Sequence, residues 1–306
     1  MEMATYAVIG TGAVGGYYGG LLQRAGRRVQ FLVHSDFTHV RAHGLRIDSP
    51  AGDFTLPVVD AVSRPEDFEP CDVAMVAWKT TANGLLPEVL KHALKPGGTV
   101  LVLQNGLDPE RDSAAAFPGA KIVGGLCFLC SQKAGPGWIR HLDYGAVNLA
   151  AFGESPQGVT PEMRRVDEDL RAAGVETRMW EDWRTARWRK LVWNIPFNGM
   201  CALTGRDTSD LLRDPVTRQR ISGLMDETIA GAVACGASIK QDFRDRMLAD
   251  TDKMKPYAPS MQLDREAGRP MELDAIYARP LAAIAAAGGK APAMAELHGQ
   301  LRSLEI

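Results

Sequence analysis

Cysteine is scarce in this chain. Five cysteines in 306 residues, unevenly spaced and odd in number, write no disulfide framework, so a reducing, cytoplasmic setting is expected. An excess of one charge is missing too. Lys and Arg total 35 against 37 for Asp and Glu, a formal charge of −2, and without a basic surplus no nucleic-acid partner is expected. Long hydrophobic runs are absent: Pro280 to Ala287 is the most apolar late stretch and stops at Gly288-Gly289, far short of the roughly 20 residues that cross a bilayer. No membrane span is expected. Met1 to Gly10 shows neither the basic lead nor the apolar core of a secretory signal. What remains is globular composition, 45% apolar and 24% charged, with a length that suggests two domains at roughly 150 residues each.

From Thr5 to about Arg178, short β-branched runs alternate with helical periods and glycine turns, the pattern of a mostly parallel α/β sheet. Strands are expected at Tyr6-Ile9, Val29-Val33, Val73-Ala77, Val100-Leu103 and Ile122-Gly124, with a hairpin from Leu45-Ile47 to Phe54-Val58. After Trp180 strand signals fade and amphipathic segments follow one another. Helices are expected at Asp182-Ala202, Val216-Ala234, Gln241-Asp250, Leu273-Ala286 and Met294-Leu304. The boundary falls near residue 180, giving domains 1–180 and 181–306.

Tyr6-Ala7-Val8-Ile9 runs directly into Gly10-Thr11-Gly12-Ala13-Val14-Gly15 and a helical pattern. In G-x-G-x-x-G, Gly10 makes the tight turn, Gly12 lets backbone approach a pyrophosphate, and Gly15 packs helix on strand. Backbone N–H groups and the helix dipole then hold the anion. A glycine turn alone is weak, but strand, loop and helix together point to a dinucleotide. At the end of the second strand, Val33-His34-Ser35-Asp36 has no acid at the strand end itself, where NAD sites usually carry one. His34 and Ser35 can donate to a 2′-phosphate, and Asp36 reads as a helix N-cap. NADP(H) is favoured, with NAD(H) left open. Arg41 is a second cation nearby, though it reads more readily as a solvated helix residue.

Lys79-Thr80 and Gln104-Asn105-Gly106 follow neighbouring strands at their carboxyl ends, where doubly wound sheets place ligands. Lys190, Asn194 and Asn198 recur every four residues on one helix face. A solvent-facing row is the plain alternative, but Arg187 and Arg189 already supply a polar side, and asparagine is a poor helix former. Pro196 is expected to kink this helix. Between Pro259 and Asp274, spacing alone has Ser260 start a short helix, Gly268 end it and Glu272 open the next. Cys127 and Cys130 form a lone CxxC read as buried small hydrophobes, and no metal is expected. His141 reads as structural, and Trp180, Trp183, Trp188 and Trp193 as packing at the domain junction.

In this order, the glycine motif, Lys79-Thr80, Gln104-Asn105-Gly106, Lys190 with Asn194 and Asn198, and Ser260 through Glu272 resemble the 2-dehydropantoate 2-reductase (ketopantoate reductase) family over nearly the whole chain. The resemblance implies a Rossmann-type doubly wound domain followed by an all-α domain like that of 6-phosphogluconate dehydrogenase, with the active site in the cleft between them. It implies NADPH-dependent reduction of 2-dehydropantoate to pantoate, in pantothenate and coenzyme A synthesis. By the same resemblance Lys190 is the general acid and Glu272 its carboxylate partner, while Asn105, Asn194, Asn198 and Ser260 hold the substrate. Gly10, Thr11, Gly12, Ala13, Val14, Gly15, His34, Ser35, Lys79 and Asn105 face the cofactor. Hydride delivery to a 2-oxo carbon builds negative charge on the carbonyl oxygen, which a protonated lysine stabilises and then protonates. His34 stands where members commonly carry Arg, and Thr208 where some place another Asn. A different branched 2-oxo acid, or a non-catalytic NADP-binding redox sensor, are the alternatives. A small 2-oxo acid is the expected partner; a homodimer through the helical half is a guess that no sequence feature carries.

Overall fold

The computed structural model describes residues 3–153 and 158–305. Met1, Glu2 and Ile306, at the outer ends of the two expected domains, lie outside the described residues, as do residues 154–157. Two compact units form, Met1–Gln104 with Pro109–Trp183, and Asn105–Asp108 with Arg184–Ile306.

The first unit is built on one sheet of β1 (Thr5–Ile9), β2 (Arg28–Leu32), β3 (Leu45–Asp48), β4 (Phe54–Leu56), β5 (Asp60–Val62), β6 (Cys71–Val76), β7 (Leu94–Val102), β8 (Lys121–Gly135), β9 (Trp138–Ala151) and β10 (Thr177–Trp180). Its order is β4-β3-β9-β8-β7-β6-β1-β2-β5, with β10 on β9. From β5 through β7 to the start of β8 the strands are parallel. The accompanying helices are α1 (Ala13–Arg24), α2 (Phe37–His43), α3 (Leu86–Ala93), α4 (Pro109–Ala116) and α5 (Pro161–Ala172).

The central strand explains the unbroken apolar run at the start of the sequence. Tyr6 and Val8 pack on one face with Phe31, Met75 and Leu101, while Ala7 and Ile9 pack on the other with Ala74, Val76 and Val100. A parallel strand covered on both faces has no polar side to alternate with. From β1 the chain passes to β2, makes the β3–β4 hairpin beside β9, adds β5 next to β2 and then returns to β6 on the opposite side of β1. The order therefore reverses between β1 and β6, where ligands bind in such sheets.

Two expectations change here. The short strand at Ile122-Gly124 is the start of a 15-residue β8, which folds back antiparallel as β9 through Pro136 and Gly137. β5, β9 and β10 carry no clear period-2 signal and were not expected. Three of the tryptophans expected at the domain junction have partners within one unit. Trp183 donates to the Gly153 carbonyl at 3.0 Å in the first unit, while Trp188 lies in the core of the second and Trp193 donates to Thr251 Oγ1 at 3.1 Å.

The second unit contains α6 (Trp183–Thr204), α7 (Thr208–Arg213), α8 (Pro215–Ala234), α9 (Phe243–Asp252), α10 (Ser260–Glu266), α11 (Arg279–Ala286) and α12 (Pro292–Arg302). No helix among the described residues is long and apolar enough to cross a membrane. Helix starts follow capping chemistry: Asp207 and Asp214 accept the Asp210 and Val216 amides at 2.8 and 2.9 Å, the second just before Pro215. The expected helix Leu273-Ala286 instead opens with a wide π-turn, Asp274–Ala278, before α11.

Candidate active site

The glycine loop lies at the reversal point of the sheet. The Ala77 and Trp78 amides both donate to the Ile9 carbonyl, at 2.9 and 3.1 Å, which draws the chain before Lys79 against the turn at Gly10. Gly10 takes a φ of +100°, and a Cβ there would stand 2.5 Å from the Trp78 nitrogen. A Cβ at Gly15 would meet the Gly10 carbonyl oxygen at 2.2 Å, whereas one at Gly12 would meet nothing within 4 Å. Two glycines are thus demanded by packing, and the third faces open space at the amino end of α1. That first turn carries no acid, so the helix dipole is unopposed there. Thr11 donates its hydroxyl to the Leu32 carbonyl at 2.9 Å, tying the loop to β2. Ala13 and Val14 open α1 and are half-buried.

At the end of β2, His34 and Ser35 are exposed. Asp36 differs from its expected role. Its side chain makes no cap bond; it accepts the Gly137 amide at 3.0 Å and pairs with Lys133 at 2.6 Å. Burial by itself pushes the Asp36 carboxyl up, but Lys133 and the Gly137 amide outweigh it and hold the group below the ordinary value. The carboxylate is committed to the turn between β8 and β9. The Ser35 hydroxyl donates to Asp36 Oδ1 at 3.1 Å. A cavity of about 470 Å³ beside this strand end is lined by Arg41, Ser63 and Arg64 among others.

Gln104 and Asn105 are adjacent in sequence and do different things. Gln104 is 3% exposed and donates to the Trp78 carbonyl at 3.1 Å and to Asn83 Oδ1 at 2.6 Å, stapling the loop after β7 to the loop after β6. Asn105 belongs to the second unit, where its Oδ1 accepts Asn194 Nδ2 at 3.3 Å. The sequence brings these two asparagines together from 89 residues apart.

On α6 the polar stripe is inside the protein. Lys190, Asn194 and Asn198 are 7%, 4% and 3% exposed, which excludes a solvent-facing row. Nor is Arg187 the polar outer side expected of it. It is 1% exposed, and Arg189 lies over the Phe243 ring at 3.9 Å, a cation–π contact. Burying three polar side chains in one helix costs free energy unless partners meet them. Pro196 sits inside the unbroken helical span Trp183–Thr204. Next to it, Tyr277 donates its hydroxyl to the Ile195 carbonyl at 2.7 Å, and Gly199 makes the room, since a Cβ there would stand 2.3 Å from that hydroxyl.

Ser260 is the first residue of α10 and half-buried; the cap position is Pro259, and no side chain caps this helix. Glu272 is 5% exposed. The chain between them is clamped, with Arg269 Nε on Asp264 Oδ1 at 3.0 Å and the Arg269 amide on the Asp264 carbonyl at 2.8 Å. Beside Glu272, the Met271 amide donates to Glu305 Oε1 at 2.8 Å. Thr208 trades bonds with Tyr257, amide to carbonyl at 3.1 Å and amide to hydroxyl at 3.3 Å, so its side chain steadies the segment leading to Ser260.

The residues set aside stay structural. His141 bridges Ser49 Oγ at 2.8 Å and the Tyr144 carbonyl at 2.8 Å. Because a carbonyl only accepts, Nε2 donates to Tyr144. Cys127 and Cys130 are buried free thiols, and burial pushes the Cys130 thiol up to about 12.

Two family models divide the chain between them: "Ketopantoate reductase PanE/ApbA" matches residues 6–154, and its C-terminal companion matches residues 182–305. A 2-dehydropantoate 2-reductase of Nostoc sp. is 45% identical over 100% of this chain and 96% of its own length. One from Mycobacterium tuberculosis is 30% identical over 89% and 88%. Among solved structures, the 2-dehydropantoate 2-reductase of Geobacter metallireducens superposes with a TM-score of 0.92 at 42% identity, covering 98% of this chain and 99% of that one. D-mandelate dehydrogenase, solved with NADH, shares the fold with a TM-score of 0.88 at 19% identity. With both halves matched in order and relatives aligned along its whole length, the chain belongs to the ketopantoate reductase family.

Proposed function

We propose that this chain reduces 2-dehydropantoate to pantoate with NADPH, using Lys190 as general acid. The observation that carries the reading is the buried stripe of Lys190, Asn194 and Asn198, joined by Asn105 through its bond to Asn194, in a chain of this family. The glycine loop suits a dinucleotide: it offers backbone N–H groups, a helix start without acid and open space over Gly12. Gly10 to Gly15 hold the pyrophosphate, and Lys79 stands at the nicotinamide end. When bound, the reduced nicotinamide supplies the hydride. Lys190 donates a hydrogen bond to the 2-oxo oxygen, stabilises its growing charge and delivers the proton that completes the alcohol. Glu272 faces the substrate as the carboxylate partner of Lys190. Asn105, Asn194, Asn198 and Ser260 orient the substrate with neutral groups that do not compete for that proton.

The fold does not choose between the two nicotinamide cofactors, since D-mandelate dehydrogenase holds NADH on it. The end of β2 supports NADP(H). Asp36 is engaged by Lys133 and Gly137 and so is withdrawn from a ribose hydroxyl, while the exposed His34 and Ser35 are donors for a 2′-phosphate and Arg41 is a cation nearby.

The test is the rate of NADPH and, separately, NADH oxidation with 2-dehydropantoate and a panel of 2-oxo acids. NADPH oxidation with 2-dehydropantoate is expected, falling about 10²–10⁴-fold in Lys190→Ala while NADPH still binds. Turnover of a different 2-oxo acid alone would move the substrate, and a Lys190→Ala enzyme as fast as its parent would remove the general acid.

A further inference from the structure

Asn105 to Asp108 follow a strand of the first unit in sequence, yet they are built into the second. Leu107 is 4% exposed in the helical core, and its amide donates to the Ala275 carbonyl at 2.7 Å. Gly106, at a φ of +92°, lies so close that a Cβ would stand 2.4 Å from the Ala275 Cβ. Arg279 reaches the Leu107 and Asp108 carbonyls at 3.5 and 3.4 Å while its Nε holds Asp274 at 2.7 Å.

The Ala275 carbonyl is available for a reason written in the chain. In an α-helix it would take the Arg279 amide, four residues on. Here that amide goes to the Asp274 carbonyl, five residues back, which opens the π-turn. The next donor in the widened register is residue 280, a proline, which has no N–H. The π-turn and Pro280 together remove both intrahelical donors from Ala275, and the Leu107 amide takes their place.

We propose that Pro280, through this turn, is a positioning residue for Asn105. It holds the 105–108 loop on the helical unit so that Asn105 Oδ1 meets Asn194 and its Nδ2 donors are aimed by that bond. Just before this turn the Glu272 carbonyl takes the Ile276 amide at 3.1 Å, so one stretch of backbone carries both Glu272 and the anchor of Asn105. The inference rests on the reading of Asn105 as a substrate-facing residue; the anchoring itself does not.

The test is Pro280→Ala, which returns an N–H and lets the turn close to the α register, where the Arg279 amide claims Ala275. Hydrogen exchange at the Leu107 amide is expected to speed up about five- to tenfold, the worth of one net hydrogen bond. KM for the 2-oxo acid should rise by a similar factor, kcat should change less, NADPH affinity should stay within about twofold, and the melting temperature should not fall. Arg279→Met, which leaves the proline in place but uncaps the loop carbonyls, should raise KM in the same direction. Unchanged exchange at Leu107 in Pro280→Ala overturns the anchoring, and faster exchange with unchanged KM overturns the link to Asn105. A parent enzyme that turns over no 2-oxo acid would sink the proposed function and, with it, the role given to Asn105, while the exchange measurement would still decide the anchoring.

Discussion

At the carboxyl end of β1, room for a ligand comes from what the residues lack. On α6 the site comes from what they carry into the interior. Gly12 has nothing within 4 Å of where a Cβ would stand, and its backbone, at φ −93° and ψ −155°, suits any residue. Asn198 fills its place with an amide that is 3% exposed. One region is specified by small size and backbone direction, the other by buried polarity, and the two should fail differently. The largest effect expected is at the loop. Gly12→Ala should melt like its parent yet bind NADPH about a hundredfold more weakly, because the methyl occupies space meant for the pyrophosphate. Gly15→Ala should lose both stability and binding, since its Cβ would meet the Gly10 carbonyl at 2.2 Å. Calorimetry and a fluorescence titration separate the two. Gly12→Ala with undiminished affinity would remove the pyrophosphate from this loop.

The counterpart on α6 is Asn198→Leu. Leucine nearly matches asparagine in shape and removes a buried amide that is costly to desolvate, so the melting temperature should hold or rise. If that amide serves the substrate, kcat/KM should fall about ten- to a hundredfold. A lowered melting temperature with unchanged kinetics would make Asn198 a structural group and break the contrast with the glycine loop.

The same contrast governs how much was legible in the sequence. The loop is local: a strand, three glycines and a helix within twenty residues, so each glycine's demand can be read from neighbouring chain. The stripe was half legible. Four-residue spacing places Lys190, Asn194 and Asn198 on one face, but only packing shows that the face is buried, and Arg187 misleads because an arginine reads as exposed. The β8–β9 pair was missed beyond Gly124: Gly125 to Cys130 are apolar without alternation, the residues after them are mixed in polarity, and the Gly135-Pro136-Gly137 turn reads as a loop. The π-turn was out of reach altogether. Pro280 is visible in the sequence, but the carbonyl it frees has meaning only once Leu107, from 168 residues earlier, is seen to take it.

The smallest effect lies at the amino edge of the first unit's sheet, away from its ligand edge. Asp72 accepts the Thr5 amide at 2.9 Å and hydroxyl at 2.8 Å and pairs with Lys95 at 2.8 Å, fastening β1, β6 and β7 together. Burial alone pushes its carboxyl up, but Lys95 and Thr5 outweigh this and bring it down to about 2. A carboxyl whose folded value is depressed stabilises the fold above its unfolded value near 3.9 and loses that contribution as pH falls toward 2. The pair is partly exposed, 48% for Lys95 and 30% for Asp72, so solvent screening keeps the gain below about 1 kcal/mol. Asp72→Asn should therefore melt slightly below its parent at neutral pH, with the gap closing between about pH 5 and pH 2. NADPH turnover should be untouched. A gap that persists in acid would mean that Asp72 acts through packing rather than charge; a loss of turnover would mean that the amino edge of the sheet is coupled to its ligand edge.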